Sequence, residues 1–105
     1  MTSSVEHDRA AAVRGDTAQA VRYFFAKPTV TSVWLFGSAA KGRRLDWRSD
    51  LDFAVEGLDP LEHARAWSEL DQMLTRTPDV VRWEEASETL RGEILAYGAL
   101  IYEKA

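Results

Sequence analysis

A chain of 105 residues, 46% of them hydrophobic and four of them tryptophan, suits one compact domain with a modest core and is too small for two. Its formal charge of −4 lacks the basic footprint of a protein that grips nucleic acid through many phosphates, which makes nucleic acid a poor partner. No cysteine is present, excluding disulfides and cysteine-based zinc sites; this and the lack of a signal-like N-terminus fit a cytoplasmic protein, and no apolar stretch nears the roughly 20 residues that span a bilayer.

From about Val5 to Lys27, apolar residues at Ala10, Val13, Ala20, Val21, Phe24 and Phe25 follow a helical stripe, with Gly15-Asp16 a candidate interruption and Pro28 the end. Val30 to Phe36 is β-branched and aromatic and reads as a buried strand closed by Gly37. A short helix is expected over Ser38 to Arg43, then a polar loop to Ser49 and a second strand over Asp50 to Glu56. Gly57-Leu58-Asp59-Pro60 makes a turn into a helix running to about Leu74, capped by Asp59, with Leu61, Ala64, Trp67, Leu70 and Leu74 on its apolar face. Pro78 precedes a third short strand, Asp79 to Trp83. Ser87 caps a last helix carrying Leu90, Ile94, Leu95 and Tyr97, which Gly98 ends or bends before Leu100-Ile101-Tyr102. This order predicts one α/β (α+β) domain over residues 1–105, a small mixed sheet with flanking helices.

The chemistry lies in the second strand. Strand side chains alternate, so Asp50 and Asp52 emerge on one face roughly 6.5–7 Å apart. Two like charges held that close repel unless something positive sits between them, and the natural candidate is a hard divalent cation such as Mg²⁺. The preceding Gly37-Ser38 turn offers backbone N–H groups to the phosphates that accompany such an ion. If strands two and three pair, Asp79 reaches the same side, and three converging carboxylates form a two-metal site for in-line displacement at phosphorus.

Leu35-Phe36-Gly37-Ser38-Ala39-Ala40-Lys41-Gly42 followed by Arg48-Ser49-Asp50-Leu51-Asp52-Phe53-Ala54-Val55 resembles the minimal nucleotidyltransferases (MNT) of the polymerase-beta superfamily. Asp79-Val80-Val81 is similar to the family's third-strand carboxylate, and Leu90-Arg91 through Ile101-Tyr102 to its closing helix. Eleven residues separate Ser38 from Asp50, one more than is common in the minimal subgroup, which reads as a loop insertion at Leu45-Asp46-Trp47. The resemblance implies a polymerase-beta-like fold with its catalytic core over about residues 30–102 behind the N-terminal helix. It implies that Asp50, Asp52 and Asp79 hold Mg²⁺ in a two-ion site, that Asp79 helps deprotonate the attacking hydroxyl, and that Gly37 and Ser38 meet the triphosphate of ATP. Lys41 and Arg43, with Arg44 as a rival, are candidates to neutralise the leaving pyrophosphate.

Larger superfamily members carry further domains for the acceptor, for which this chain has no room. The minimal subgroup is paired with HEPN-domain proteins, and some of its members act as antitoxins by adenylylating a tyrosine of that partner. The implied function is AMP transfer from ATP to a HEPN-domain protein. The alternative is a non-catalytic nucleotide-binding antitoxin or regulatory subunit that neutralises its partner by covering it. A nucleic-acid-binding domain would rest on the Lys41 to Arg48 cluster alone. Trp34, Trp67 and Trp83 are expected in the core, Trp47 over it or stacked on a base, Tyr97 and Tyr102 as packing residues or else acceptors of self-modification, His7 and His63 on the surface, and Glu84 and Glu85 in solvent.

Overall fold

The computed structural model describes residues 4–37 and 51–105, with side chains from residue 13 onward. The first helix, α1 (Ser4–Phe25), runs unbroken through Gly15 and Asp16, where the sequence suggested an interruption. Gly15 is exposed, so its missing side chain costs conformational entropy and no packing. Asp16 points inward, 3% exposed, and its carboxylate is satisfied by a distant loop instead of competing for the helix's own N–H groups. Nothing lies within 4 Å of a Cβ built at Gly15. Gly15→Ala is therefore expected to stabilise the fold by about 0.5–1 kcal/mol, read as a higher thermal unfolding midpoint. An unchanged or lower midpoint would contradict a relaxed helix at this point.

The buried stripe of α1 is Asp16, Ala20 and Phe24, with Val13 and Tyr23 at its margins. Phe25, expected on that stripe, is 71% exposed and packs edge-on against Tyr102. After the turn at Pro28 the chain enters β1 (Ser32–Phe36); the next described strand is β2 (Leu51–Glu56). The short helix expected over Ser38 to Arg43 lies outside the described residues. Helix α2 (Pro60–Met73) opens on Asp59, whose side chain accepts the Leu61 N–H at 2.8 Å, with Pro60 in the first turn. It leads to β3 (Pro78–Arg82), a 3₁₀ turn (Trp83–Glu85), α3 (Glu88–Tyr97) and β4 (Ala99–Glu103). Ser87 caps α3 as expected, accepting the Leu90 N–H at 3.1 Å, and Gly98 closes it.

The four strands form one mixed sheet in the order β3-β2-β1-β4. β1 is antiparallel to both β2 and β4, while β2 and β3 are parallel, joined through α2 as a parallel pair requires. β4 was not anticipated as a strand. One face of the sheet, carrying Val33, Leu35, Leu51, Phe53, Val55 and Val80, packs against α1 and α2. The contribution of α2 is Ala66, Leu70 and Leu74, a spacing of four; Leu61, Ala64 and Trp67, expected on this face, are exposed, Leu61 at 89%.

Among the described residues, two polar ties join α1 and the turn that follows it to α2. The Lys27 ammonium donates to Glu62 at 2.5 Å and holds that carboxyl below its ordinary range. The Tyr23 hydroxyl donates to Glu69 at 2.5 Å, and burial, that bond and the Glu69 charge push the phenol above its ordinary range. Among the described residues no helix is long and apolar enough to cross a membrane.

Candidate active site

β1 delivers Phe36 and Gly37 to one end of the sheet, and β2 and β3 both begin there. Phe36, Asp52 and Asp79 stand side by side in register on the three neighbouring strands. Adjacent strands lie about 4.8 Å apart and in-register partners point to the same face, so Asp52 and Asp79 share a face at a single strand spacing. Alternation puts that face opposite the main core, since Leu51, Phe53 and Val80 on either side of them point inward. Both aspartates are half-buried.

Gly37 explains how Asp52 fits. Its φ of +77° lies in the left-handed region that a side chain disfavours. A Cβ built there would run into Oδ2 of Asp52 and stand 3.3 Å from its Cγ. The carboxylate thus lies against bare glycine backbone. The turn glycine and the strand carboxylate form one local unit, built from residues 15 positions apart.

Two carboxylates so placed repel each other in isolation and suit a cation. They are hard oxygen donors, matched to Mg²⁺ or Mn²⁺ and poorly to softer ions. The donor chemistry of Asp52 and Asp79 fits a divalent ion, and the seat of Asp52 against Gly37 keeps open backbone beside it. Among the described residues no group of three His, Cys, Asp or Glu side chains converges. Asp50, the third carboxylate of the expected cluster, lies outside the described residues, as do Ser38, Lys41, Arg43, Arg44, Trp47 and Arg48.

Two residues along β1 and β2, on the same face, Trp34 pairs with Ala54, which is fully buried. The Trp34 indole stacks on Trp83 at 4.5 Å between centroids and 24° between planes. Arg91 of α3 lies over the Trp83 ring at 5.2 Å, its Nε donating to the Trp83 carbonyl at 3.0 Å. This aromatic layer floors the sheet beside the aspartates and ties α3 to it. Trp34 and Trp83, expected in the core, are instead half-buried and pack on each other on the sheet face away from it, and Trp67, also expected there, is 40% exposed, because α2 is rotated relative to the expected face. Tyr102 is half-buried against the core, but Tyr97 is 63% exposed at the end of α3.

Glu84 and Glu85 are exposed as expected and are engaged away from Asp79: Glu84 accepts the Gly57 N–H at 2.8 Å and Glu85 pairs with Arg82. Two residues escaped the sequence reading. His63, expected as a surface residue, is half-buried on α2 with its Nε2 on the Val80 carbonyl, directly after Asp79. Asp16 binds the loop that precedes β3. A signal for Asp16 did exist, since it occupies the apolar stripe defined by Val13, Ala20 and Phe24, where a charge needs a partner.

The sequence profile of the family described as polymerase beta, nucleotidyltransferase, matches residues 19–105. A crystal structure of a toxin–antitoxin complex with AMP-PNP is similar at a TM-score of 0.70 and 24% identity, covering 86% of this chain and 73% of that one. A complex of tri-AMPylated Shewanella oneidensis HEPN toxin with MNT antitoxin gives 0.68 at 20% identity, covering 87% and 72%. A protein described as a candidate minimal nucleotidyltransferase gives 0.68 at 28% identity, covering 85% and 92%. No curated protein matches the chain.

Proposed function

The chain belongs to the polymerase beta nucleotidyltransferase family, and from that premise we propose that it moves AMP from ATP to a hydroxyl, a tyrosine being the favoured acceptor, of a partner HEPN-domain protein, acting as its antitoxin in the cytoplasm. The observation that carries this reading is the register of Asp52 with Asp79, with the Asp52 carboxylate seated on the bare backbone of Gly37. A fold core has no use for two carboxylates one strand apart, one of them seated on a bare glycine. A metal–phosphate site does.

In this reading Asp50, Asp52 and Asp79 would hold Mg²⁺, and Gly37 and Ser38 would offer backbone and hydroxyl donors to the triphosphate. Lys41 and Arg43 would neutralise the departing pyrophosphate. Bound divalent metal supplies charge neutralisation for the phosphates and lowers the cost of ionising the attacking hydroxyl. The protein's own part is placement. Asp79 orients the acceptor hydroxyl and receives its proton as the new O–P bond forms at the α-phosphorus. The bond to the bridging oxygen breaks, and pyrophosphate carries away the displaced electron pair.

The AMP-PNP complex and the tri-AMPylated toxin complex support ATP as donor and a HEPN protein as acceptor. The direct test incubates the chain with α-labelled ATP, Mg²⁺ and the HEPN-domain partner that this reading requires, sought first in the adjacent reading frame. Label is expected on a tyrosine of the partner, and chelation of the metal should stop the transfer. Absence of label under conditions that preserve the complex would sink the enzymatic reading.

A further inference from the structure

Asp16 is a buried carboxylate for which the proposed chemistry has no direct use. Its Oδ1 accepts the Thr75 N–H at 2.9 Å, and its Oδ2 accepts the Thr75 hydroxyl at 2.9 Å and the Arg76 N–H at 3.0 Å. All three donors sit in the loop between α2 and β3, some 59 residues along the chain. A carboxylate accepting several N–H and O–H bonds in a buried setting is a strong and directional anchor.

The next residues carry the anchor into the site. The Thr77 carbonyl accepts the Leu51 N–H at 3.0 Å, Pro78 pairs with Leu51, and Asp79 pairs with Asp52. Pro78 is fully buried and has its φ fixed by the ring, so little torsional slack separates the held loop from Asp79. Among the described residues β3 is an edge strand, with β2 as its one strand neighbour in the sheet. The start of β3 is thus set by a few contacts, of which the Asp16 anchor is one. Extended backbone advances about 3.3 Å per residue, placing Arg76 about 10 Å from Asp79, so Asp16 cannot itself touch a metal held there.

We propose that Asp16 is a positioning residue for the metal-binding carboxylates, fixing through Thr75 and Arg76 where Asp79 stands relative to Asp52. The inference rests on the reading that these aspartates hold a divalent ion. It assigns the N-terminal helix a role in the site, from a residue outside the segment matched by the family profile.

The test is Mn²⁺ affinity of the full chain, measured by electron paramagnetic resonance, in the native sequence, Asp16→Asn and Asp52→Asn. Asn keeps the shape of Asp, but its Nδ2 must face one of the two loop N–H groups, so one contact becomes donor against donor. Each variant is measured below its own unfolding onset, and Asp16→Asn is repeated with Gly15→Ala to restore stability. The expected result is a folded Asp16→Asn protein binding Mn²⁺ on the order of 10-fold more weakly, the scale seen when outer-shell partners of metal ligands are lost. In label transfer, the same variant should need more metal for half-maximal rate while keeping most of its rate at saturating metal.

An unchanged Mn²⁺ affinity in a folded Asp16→Asn protein would overturn the inference and leave the proposed function standing. Failure of even the Gly15→Ala double variant to fold would also overturn it, making Asp16 a residue of the fold alone. If Asp52→Asn binds Mn²⁺ as well as the native chain does, the metal reading itself fails and the inference falls with it.

Discussion

Asp52→Asn is expected to lower nucleotidyl transfer on the order of 10³-fold or more while leaving the fold intact, because it removes charge from the site and volume from nowhere. Asn fits the space against the Gly37 backbone, and the position is half-buried on the face away from the main core. Stability measured in chelator is therefore expected to stay within about 1 kcal/mol of the native chain's. This combination distinguishes a functional residue from a structural one, since large losses of activity at structural positions normally follow losses of stability. The same variant separates catalysis from masking. An enzyme loses neutralisation of its partner while still binding it, whereas a protein that neutralises by covering keeps both. Retained transfer in Asp52→Asn, or neutralisation undiminished without transfer, would end the enzymatic reading.

What the sequence made legible was local. Asp59 and Ser87 were readable as helix caps because the capping bond closes within two or three residues. β1 and β2 were readable because their β-branched and apolar residues and bounding glycines lie in one short window, whereas the pairing of β2 with β3 stood only as a condition that the register of Asp52 with Asp79 now meets. The misplaced features depended on distant partners. Asp16 looked like a helix interruption because its three donors lie about 60 residues downstream. Leu100-Ile101-Tyr102 gave no strand signal because β4 is an edge, half-exposed, with its register against β1 shifted between Val33 and Trp34. In α2, Leu61, Ala64 and Trp67 mimic an apolar face, yet the packing partner selects Ala66, Leu70 and Leu74. Periodicity fixes that a helix has a face; the neighbour against which it docks fixes the phase.

Gly37→Ala is expected to damage both activity and stability, and the way the two losses couple tests how the site is built. A side chain at φ +77° costs about 1–2 kcal/mol on backbone grounds alone. The new methyl group would also occupy the place of Asp52 Oδ2. A carboxylate is the free end of a side chain and can swing aside, but doing so takes it from its position beside Asp79. Relief of the clash therefore removes the feature on which transfer depends. In an Asp52→Ala background the collision disappears while the backbone cost remains, so Gly37→Ala should be less destabilising there, with a coupling on the order of 1 kcal/mol by a double-mutant cycle. Gly57 supplies the control. It too has positive φ, +90°, but a Cβ there would strike the Thr29 carbonyl, at the other end of β2 from Asp52. Gly57→Ala should therefore destabilise at least as much as Gly37→Ala, yet retain transfer below its unfolding temperature. Equal cost of Gly37→Ala in both backgrounds would break the link between glycine and carboxylate. Gly37 would then be a turn residue, and the seat of Asp52 would have to be sought elsewhere.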